Sequence, residues 1–157
     1  MRRTVGSVAV IGGGVIGASV AYHLTARGVR DVVVLDRAEQ PGAGSTGRAT
    51  GGFRVQFASR TQIALSQLSL AKLRAFREEL GADPGYVAAG YLWVAETAPE
   101  LDALRAALAV QRANGVDDAE ELDGDAIAAQ NPALRREPLA GATFCASDGF
   151  IRPLRIL

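Results

Sequence analysis

Gly12, Gly14 and Gly17 stand at the spacing G-x-G-x-x-G, directly after the apolar run Val8-Ala9-Val10-Ile11. Main chain without Cβ atoms is suited to holding an anion. Gly12 permits a tight turn, Gly14 lets the backbone approach a diphosphate, and Gly17 lets the following helix pack closely on the strand. The diphosphate would rest at the helix N-terminus, where unpaired N–H groups and the positive dipole end favour negative charge. Asp36 follows the second apolar run, Val32-Val33-Val34-Leu35, about 20 residues past Gly17. It can accept hydrogen bonds from ribose hydroxyls, and its charge would repel a 2′-phosphate, which disfavours NADP. The loop from Gly44 to Arg54 adds small residues, hydroxyls, many backbone N–H groups and the cations Arg48 and Arg54. Such a loop can wrap a large anionic cofactor. The nucleotide turn by itself leaves FAD and NAD both open. An NAD domain would more often pass quickly from its second strand to the next helix.

These groups must be carried by elements that the periodicity predicts. Val8–Ile11 and Val32–Leu35 are short continuous apolar runs, as for strands buried on both faces. Between them Ile16, Val20 and Leu24 recur every four residues, with Ala21 beside them, and Gly28 ends the helix. Strand, helix and strand in about 30 residues make a βαβ unit with a right-handed crossover. Residues 37 to 58 carry no clean period, and a loop of that length inside a domain is usually functional. A helix from about Thr61 to Leu80 stops at Gly81. It carries Leu65, Leu68, Leu73, Phe76 and Leu80 on one arc and Ile63 and Leu70 on the other, so it is expected to be packed between layers. After Asp83-Pro84-Gly85, Tyr86 to Ala95 reads as a strand interrupted at Gly90. Thr97 and Glu100 form a capping box for a helix closed by Asn114-Gly115. Asp123 can cap a short helix ended by Pro132, and Gly141 to Cys145 is a further strand.

Seventeen Lys+Arg balance seventeen Asp+Glu, and 48% of residues are hydrophobic against 22% charged. That is a globular composition, which excludes a disordered tail. The zero balance argues against a nucleic-acid binder. The stretch Thr4 to Ala26 carries no formal charge, but Gly12-Gly13-Gly14 breaks it at its centre, so no signal peptide or membrane span is assigned. One cysteine excludes an intramolecular disulfide framework and a Cys-rich zinc site, and suits a cytoplasmic protein.

Three segments together carry a resemblance: Val8 to Gly17, then Val34-Leu35-Asp36-Arg37, then Gly44 to Arg54. Gly90 to Ala95 and Ser147 to Pro153 support it. The chain resembles the amino-terminal part of the D-amino-acid oxidase-like FAD-dependent oxidoreductases, in the branch of sarcosine oxidase, dimethylglycine dehydrogenase and glycine oxidase. The resemblance implies that Gly12, Gly14, Val15, Ile16 and Gly17 line the FAD pyrophosphate. Asp36 would hold the adenosine ribose with Arg37 close by, and Ser45, Thr46, Arg48 and Ala49 would run along the pyrophosphate and flavin. In dimethylglycine dehydrogenase-like members a histidine bearing covalent flavin stands at the Arg48 position. Arginine cannot make that bond, so non-covalent FAD is expected. In sarcosine oxidase-like members the arginine at the Arg54 position grips the substrate carboxylate, a task that suits a bidentate guanidinium.

The expected fold is α/β. A Rossmann-like FAD-binding βαβ domain occupies residues 1–82, part of an α+β substrate domain 83–145, and a return to the FAD-binding domain 146–157. Family members are much longer, so the chain is expected to be a fragment, or to need a partner chain for its carboxyl-terminal half, or to be an inactive truncation. The expected activity is oxidation of the C–N bond of an amino acid or N-methyl amino acid, with catalytic residues unassigned. The alternatives are an NAD-dependent dehydrogenase domain and a non-catalytic cofactor-binding subunit or remnant. His23 is expected in the middle of the first helix, away from the glycine turn, and reads as structural or solvated. Cys145 reads as buried packing, Lys72 as a stem laid on the core, and Trp93 with Tyr91 as sheet packing. The run Asp117, Asp118, Glu120 and Glu121 reads as a solvated turn without metal, and Arg60 as a solvated helix start.

Overall fold

The computed structural model describes residues 7–135 and 137–157. The opening of the uncharged stretch at Thr4 lies outside them. Strand β1 (Val8–Ile11) and strand β2 (Val32–Leu35) pair in parallel, Val8 opposite Val32 through Ile11 opposite Leu35. Helix α1 (Val15–Ala26) makes the crossover between them. β-branched residues are stiff at χ1 and pack well on a pleated surface, which is why both runs are strands at the bounds read from sequence. Their burial departs from expectation. Ile11 is 88% exposed, and Val33, Val34 and Leu35 are exposed as well. Helix α1 packs on this pair and leaves these side chains exposed.

The segment expected to be loop contains a single helical turn, α2 (Ser45–Arg48), and the two-residue strand β3 (Gly52–Phe53). Helix α3 (Arg60–Leu80) ends at Gly81, as its sequence predicts. It is not buried on both sides. Ile63 and Leu70 enter a core with Val55, Leu108, Val116, Ala119 and Cys145, whereas Leu65 and Leu68 are 60% and 65% exposed. The side that meets the neighbouring helix and sheet decides burial, not the side richer in leucine.

The remaining elements are β4 (Tyr91–Ala95), α4 (Ala98–Ala113), β5 (Ala119–Leu122), α5 (Gly124–Gln130), β6 (Gly141–Cys145) and β7 (Gly149–Phe150). β4, β6 and β5 form an antiparallel sheet in that order, and β7 pairs with β3. The strand expected from Tyr86 begins only at Tyr91. Gly90 at φ +76° turns the chain out of extended geometry, and Val87 bridges to Phe150 instead. The capping box forms: Glu100 N–H donates to the Thr97 hydroxyl, and the Glu100 carboxylate accepts from Thr97 N–H at 3.1 Å. The acidic run is only half a turn. Asp117 and Asp118 turn, but Glu120 and Glu121 lie in β5, because Ala119 and Leu122 on either side of them are buried.

The chain divides into two compact units. The first runs to Gly51 and takes in Ala82–Gly85 and Arg152–Leu157; the second comprises Gly52–Gly81 and Tyr86–Ile151. The boundary between these two compact units after the nucleotide turn falls ahead of α3. Ile63 and Leu70 bind α3 into the core of the second unit. Arg152–Leu157 belong to the first unit, with a 3-10 turn at Pro153–Ile156 that packs on α2.

Candidate functional site

In the first unit the glycine turn sits between the carboxyl end of β1 and the start of α1. Gly12 has φ +109°, and its N–H donates to Leu35 O at 2.7 Å. A Cβ added there would meet nothing within 4 Å, so the backbone faces open space. A Cβ at Gly17 would stand 1.8 Å from the Gly12 carbonyl oxygen, so only glycine lets the helix come this close. Gly14 is the N-cap of α1 and supplies no side-chain cap. The first turn of a helix leaves N–H groups without helical acceptors. One of these, Val15 N–H, donates to the Thr46 hydroxyl at 3.0 Å. Having accepted, that hydroxyl keeps its own hydrogen for a ligand. Ile16, in the same turn, is 76% exposed.

Asp36 closes the other side. Its carboxylate accepts from Ala38 N–H at 2.7 Å and from Gly13 N–H at 2.6 Å, and these two bonds hold it below the usual carboxylate range. Gly13, absent from the residues marked in the sequence, is thus the point where Asp36 braces the turn. Each carboxylate oxygen retains a lone pair for a further donor. A cleft of about 460 Å³ opens here, lined among others by Gly12, Asp36, Arg37, Ala38, Gly44 and Arg48. It lies at the carboxyl ends of two parallel strands, where α/β folds bind nucleotides. Bare main chain, a helix start without acidic residues, a fixed carboxylate and two cations fit a dinucleotide such as FAD. Ser45 and Ala49 are exposed at the two ends of α2.

Arg54 belongs to the second unit. Its guanidinium carbon lies 4.8 Å from the centre of the Phe57 ring, 5.2 Å from Trp93 and 5.9 Å from Tyr91. Its Nε is buried and has no hydrogen-bond partner. The adjoining backbone is fixed from below. Fully buried Asp148 accepts from Val55 N–H at 2.6 Å and from the Gln56 side-chain amide at 3.1 Å. The same amide donates to Tyr91 O at 2.8 Å, and Thr143 donates to Gln56 Oε1 at 3.3 Å. Burial raises the Asp148 carboxyl above its ordinary range. Gln56, Phe57 and Asp148 were not among the expected site residues. The i, i+2 spacing of Tyr91 and Trp93 does place both rings on one face of β4, which was the available signal.

The other candidates fall outside these two groups. His23 lies in the last turn of α1, edge-to-face with Tyr22 at 5.1 Å. Cys145 is buried, and burial pushes its thiol up to about 12, so it is an inert packing group. Although burial alone would raise Asp118, hydrogen bonds from Ser147 and Cys145 hold its carboxyl below the usual range. Glu121 is tied to Arg105 at 2.7 Å. Lys72 and Arg60 are exposed. Among the described residues no group of His, Cys, Asp and Glu is arranged for a metal, and no helix is long and apolar enough to cross a membrane.

The family described as FAD dependent oxidoreductase matches residues 7–157. The 4-methylaminobutanoate oxidase (formaldehyde-forming) of Paenarthrobacter nicotinovorans is 33% identical over 144 residues, covering 92% of this chain and 17% of that protein. The glycine oxidase of Geobacillus kaustophilus is 32% identical over 149 residues, covering 90% of this chain and 39% of that protein. In structure, L-proline dehydrogenase from P. horikoshii superposes with a TM-score of 0.83 at 25% identity, over 96% of this chain and 39% of that one. The chain thus spans well under half the length of these relatives. With the glycine turn, the carboxylate at the end of β2 and the match running through both units, the chain belongs to the FAD-dependent oxidoreductase family.

Proposed function

We propose that this chain forms the cofactor-holding part, and a portion of the substrate-binding part, of an FAD-dependent oxidoreductase that oxidises the C–N bond of an amino acid or N-methyl amino acid. The observation that carries the reading is the open backbone at Gly12 faced by Asp36 across the cleft at the ends of β1 and β2. Gly12, Gly14, Ile16 and Gly17 would present main chain to the pyrophosphate, with Val15 engaged through Thr46. Asp36, pre-set by Gly13 and Ala38, would take the ribose hydroxyls. Arg37 and Arg48 would balance phosphate charge, with Ser45 and Ala49 alongside. Arginine at position 48 supports non-covalent attachment. Bound FAD supplies the acceptor for a hydride from the carbon beside nitrogen, and the imine left behind hydrolyses in water.

Arg54 is read as the group that takes the substrate carboxylate. A guanidinium atom buried without a partner is costly unless an anion comes to it. The names of the relatives, an oxidase of a methylamino acid and one of glycine, support a small amine or amino acid as substrate. Exposed apolar residues on β1, β2 and α3 support cover by further polypeptide, from a carboxyl-terminal half or a partner chain. The unpaired Cys145 is in keeping with a cytoplasmic setting.

The purified protein is expected to carry FAD that acid precipitation releases. Arg54→Ala in a complete enzyme containing this segment is expected to raise KM for carboxylated amines about tenfold or more, the scale of hydrogen bonds between charged groups, and to leave plain amines unchanged. Equal effects on both substrates would remove Arg54 from carboxylate binding. A colourless protein that binds NAD tightly would overturn the flavin reading.

A further inference from the structure

Arg54 is held in an unusual way. Arg54 is half-buried with its Nε fully buried, and a guanidinium nitrogen taken out of water is ordinarily hydrogen-bonded to a carboxylate or carbonyl. Among the described residues Arg54 has no ion pair and no hydrogen bond; three aromatic rings surround it at 4.8, 5.2 and 5.9 Å. All three distances lie within the range of about 6 Å at which a cation is attracted by a ring face. The arrangement is built on one frame. Tyr91 and Trp93 are paired with Cys145 and Thr143 of β6, and their ring centres are 5.4 Å apart. Gln56 joins the segment that follows β3, which carries Arg54, to the Tyr91 carbonyl, and Asp148 holds both Val55 and Gln56.

We propose that Phe57, Tyr91 and Trp93 are positioning residues that hold the Arg54 guanidinium by ring faces instead of by an anionic partner, so that its N–H donors and its charge remain free for an incoming carboxylate. The inference rests on the reading of Arg54 as the carboxylate site. A protein carboxylate in the same place would fix the guanidinium equally well but would compete with the ligand for the same donors. Rings orient the cation without using any of its five N–H groups. The binding energy of a ligand carboxylate is then not spent on displacing an internal partner.

The test uses a property of the chain itself: Trp93 is its single tryptophan. With Trp93 in contact with Arg54, its fluorescence should report an anion arriving there. Acetate, titrated into the 157-residue chain at constant ionic strength against chloride, is expected to give a saturable change that Arg54→Ala abolishes. Phe57→Leu and Tyr91→Leu are expected to raise the acetate midpoint about fivefold, and Phe57→Tyr and Tyr91→Phe to restore it, since they keep a ring face. Two leucine variants at separate places in the fold keep the comparison available where one does not fold. Unchanged midpoints in the leucine variants, with loss of response in Arg54→Ala, would overturn the ring holder and leave the Arg54 reading intact. A response that persists in Arg54→Ala, or is missing from the unsubstituted chain, would overturn both.

Discussion

Asp36 serves two structures with one side chain. Its two oxygens accept the Gly13 and Ala38 N–H groups, so the carboxylate is oriented before any ligand arrives. Pre-set groups lose less freedom on binding. Asp36→Asn keeps the shape but puts an NH2, which cannot accept, in place of one oxygen, so one of the two bonds is lost and the other weakened; Asp36→Ala removes both. Asp36→Ala is therefore expected to weaken FAD about tenfold or more, and Asp36→Asn by less, in an equilibrium titration of the apoprotein followed by flavin fluorescence. Equal affinity in all three proteins would take Asp36 out of the cofactor site. The Asp36 position was legible because a strand-end acid after a glycine turn is a local pattern. Its bond to Gly13 was not, since the two residues are far apart in sequence and meet only through strand pairing. The rings around Arg54 were hidden for the same reason: Tyr91 and Trp93 come from a strand that lies beyond α3.

The elements show where local rules suffice. β1, α1 and β2 follow from β-branched runs and glycine punctuation, and α4 from its capping box, because each signal acts within one or two turns of chain. The contact of α1 with β1 depends on a single missing methyl group. Gly17→Ala would set a Cβ 1.8 Å from the Gly12 carbonyl oxygen, and that backbone has nowhere to yield without reshaping the turn. The expected result is a loss of about 1–3 kcal/mol in urea unfolding, the usual cost of overpacking, together with loss of FAD retention on a desalting column. Retained flavin and unchanged stability would show that the helix does not approach the strand this closely. Two element readings failed on partners that lie far off in sequence. The solvated turn at Glu120 and Glu121 became a strand because β6 pairs with it. The expectation that α3 is packed between layers failed at Leu65 and Leu68, which stay exposed because the core lies against Ile63 and Leu70.

At the scale of the whole chain, two units each close their own contacts while leaving large apolar side chains outside. Ile11 is 88% exposed, and Leu65 and Leu68 are neighbours one turn apart on α3, at 60% and 65%. Exposed apolar patches such as Leu65 with Leu68 favour association with other surfaces. The 157-residue chain alone is therefore expected to self-associate in light scattering at tens of micromolar, a concentration of about the usual scale for aggregation-prone species. The double substitution Leu65→Glu with Leu68→Glu should reduce that association without lowering far-UV helicity. A monodisperse monomer before substitution would contradict it. What the sequence determined by itself was the βαβ unit, the anion-holding turn, the carboxylate beside it and the family, because each depends on residue types a short distance apart. Only the tertiary structure decided which faces are buried, where one unit gives way to the next, and that a cation at position 54 is held by rings. Those depend on which distant segments meet, and no local spacing encodes the meeting.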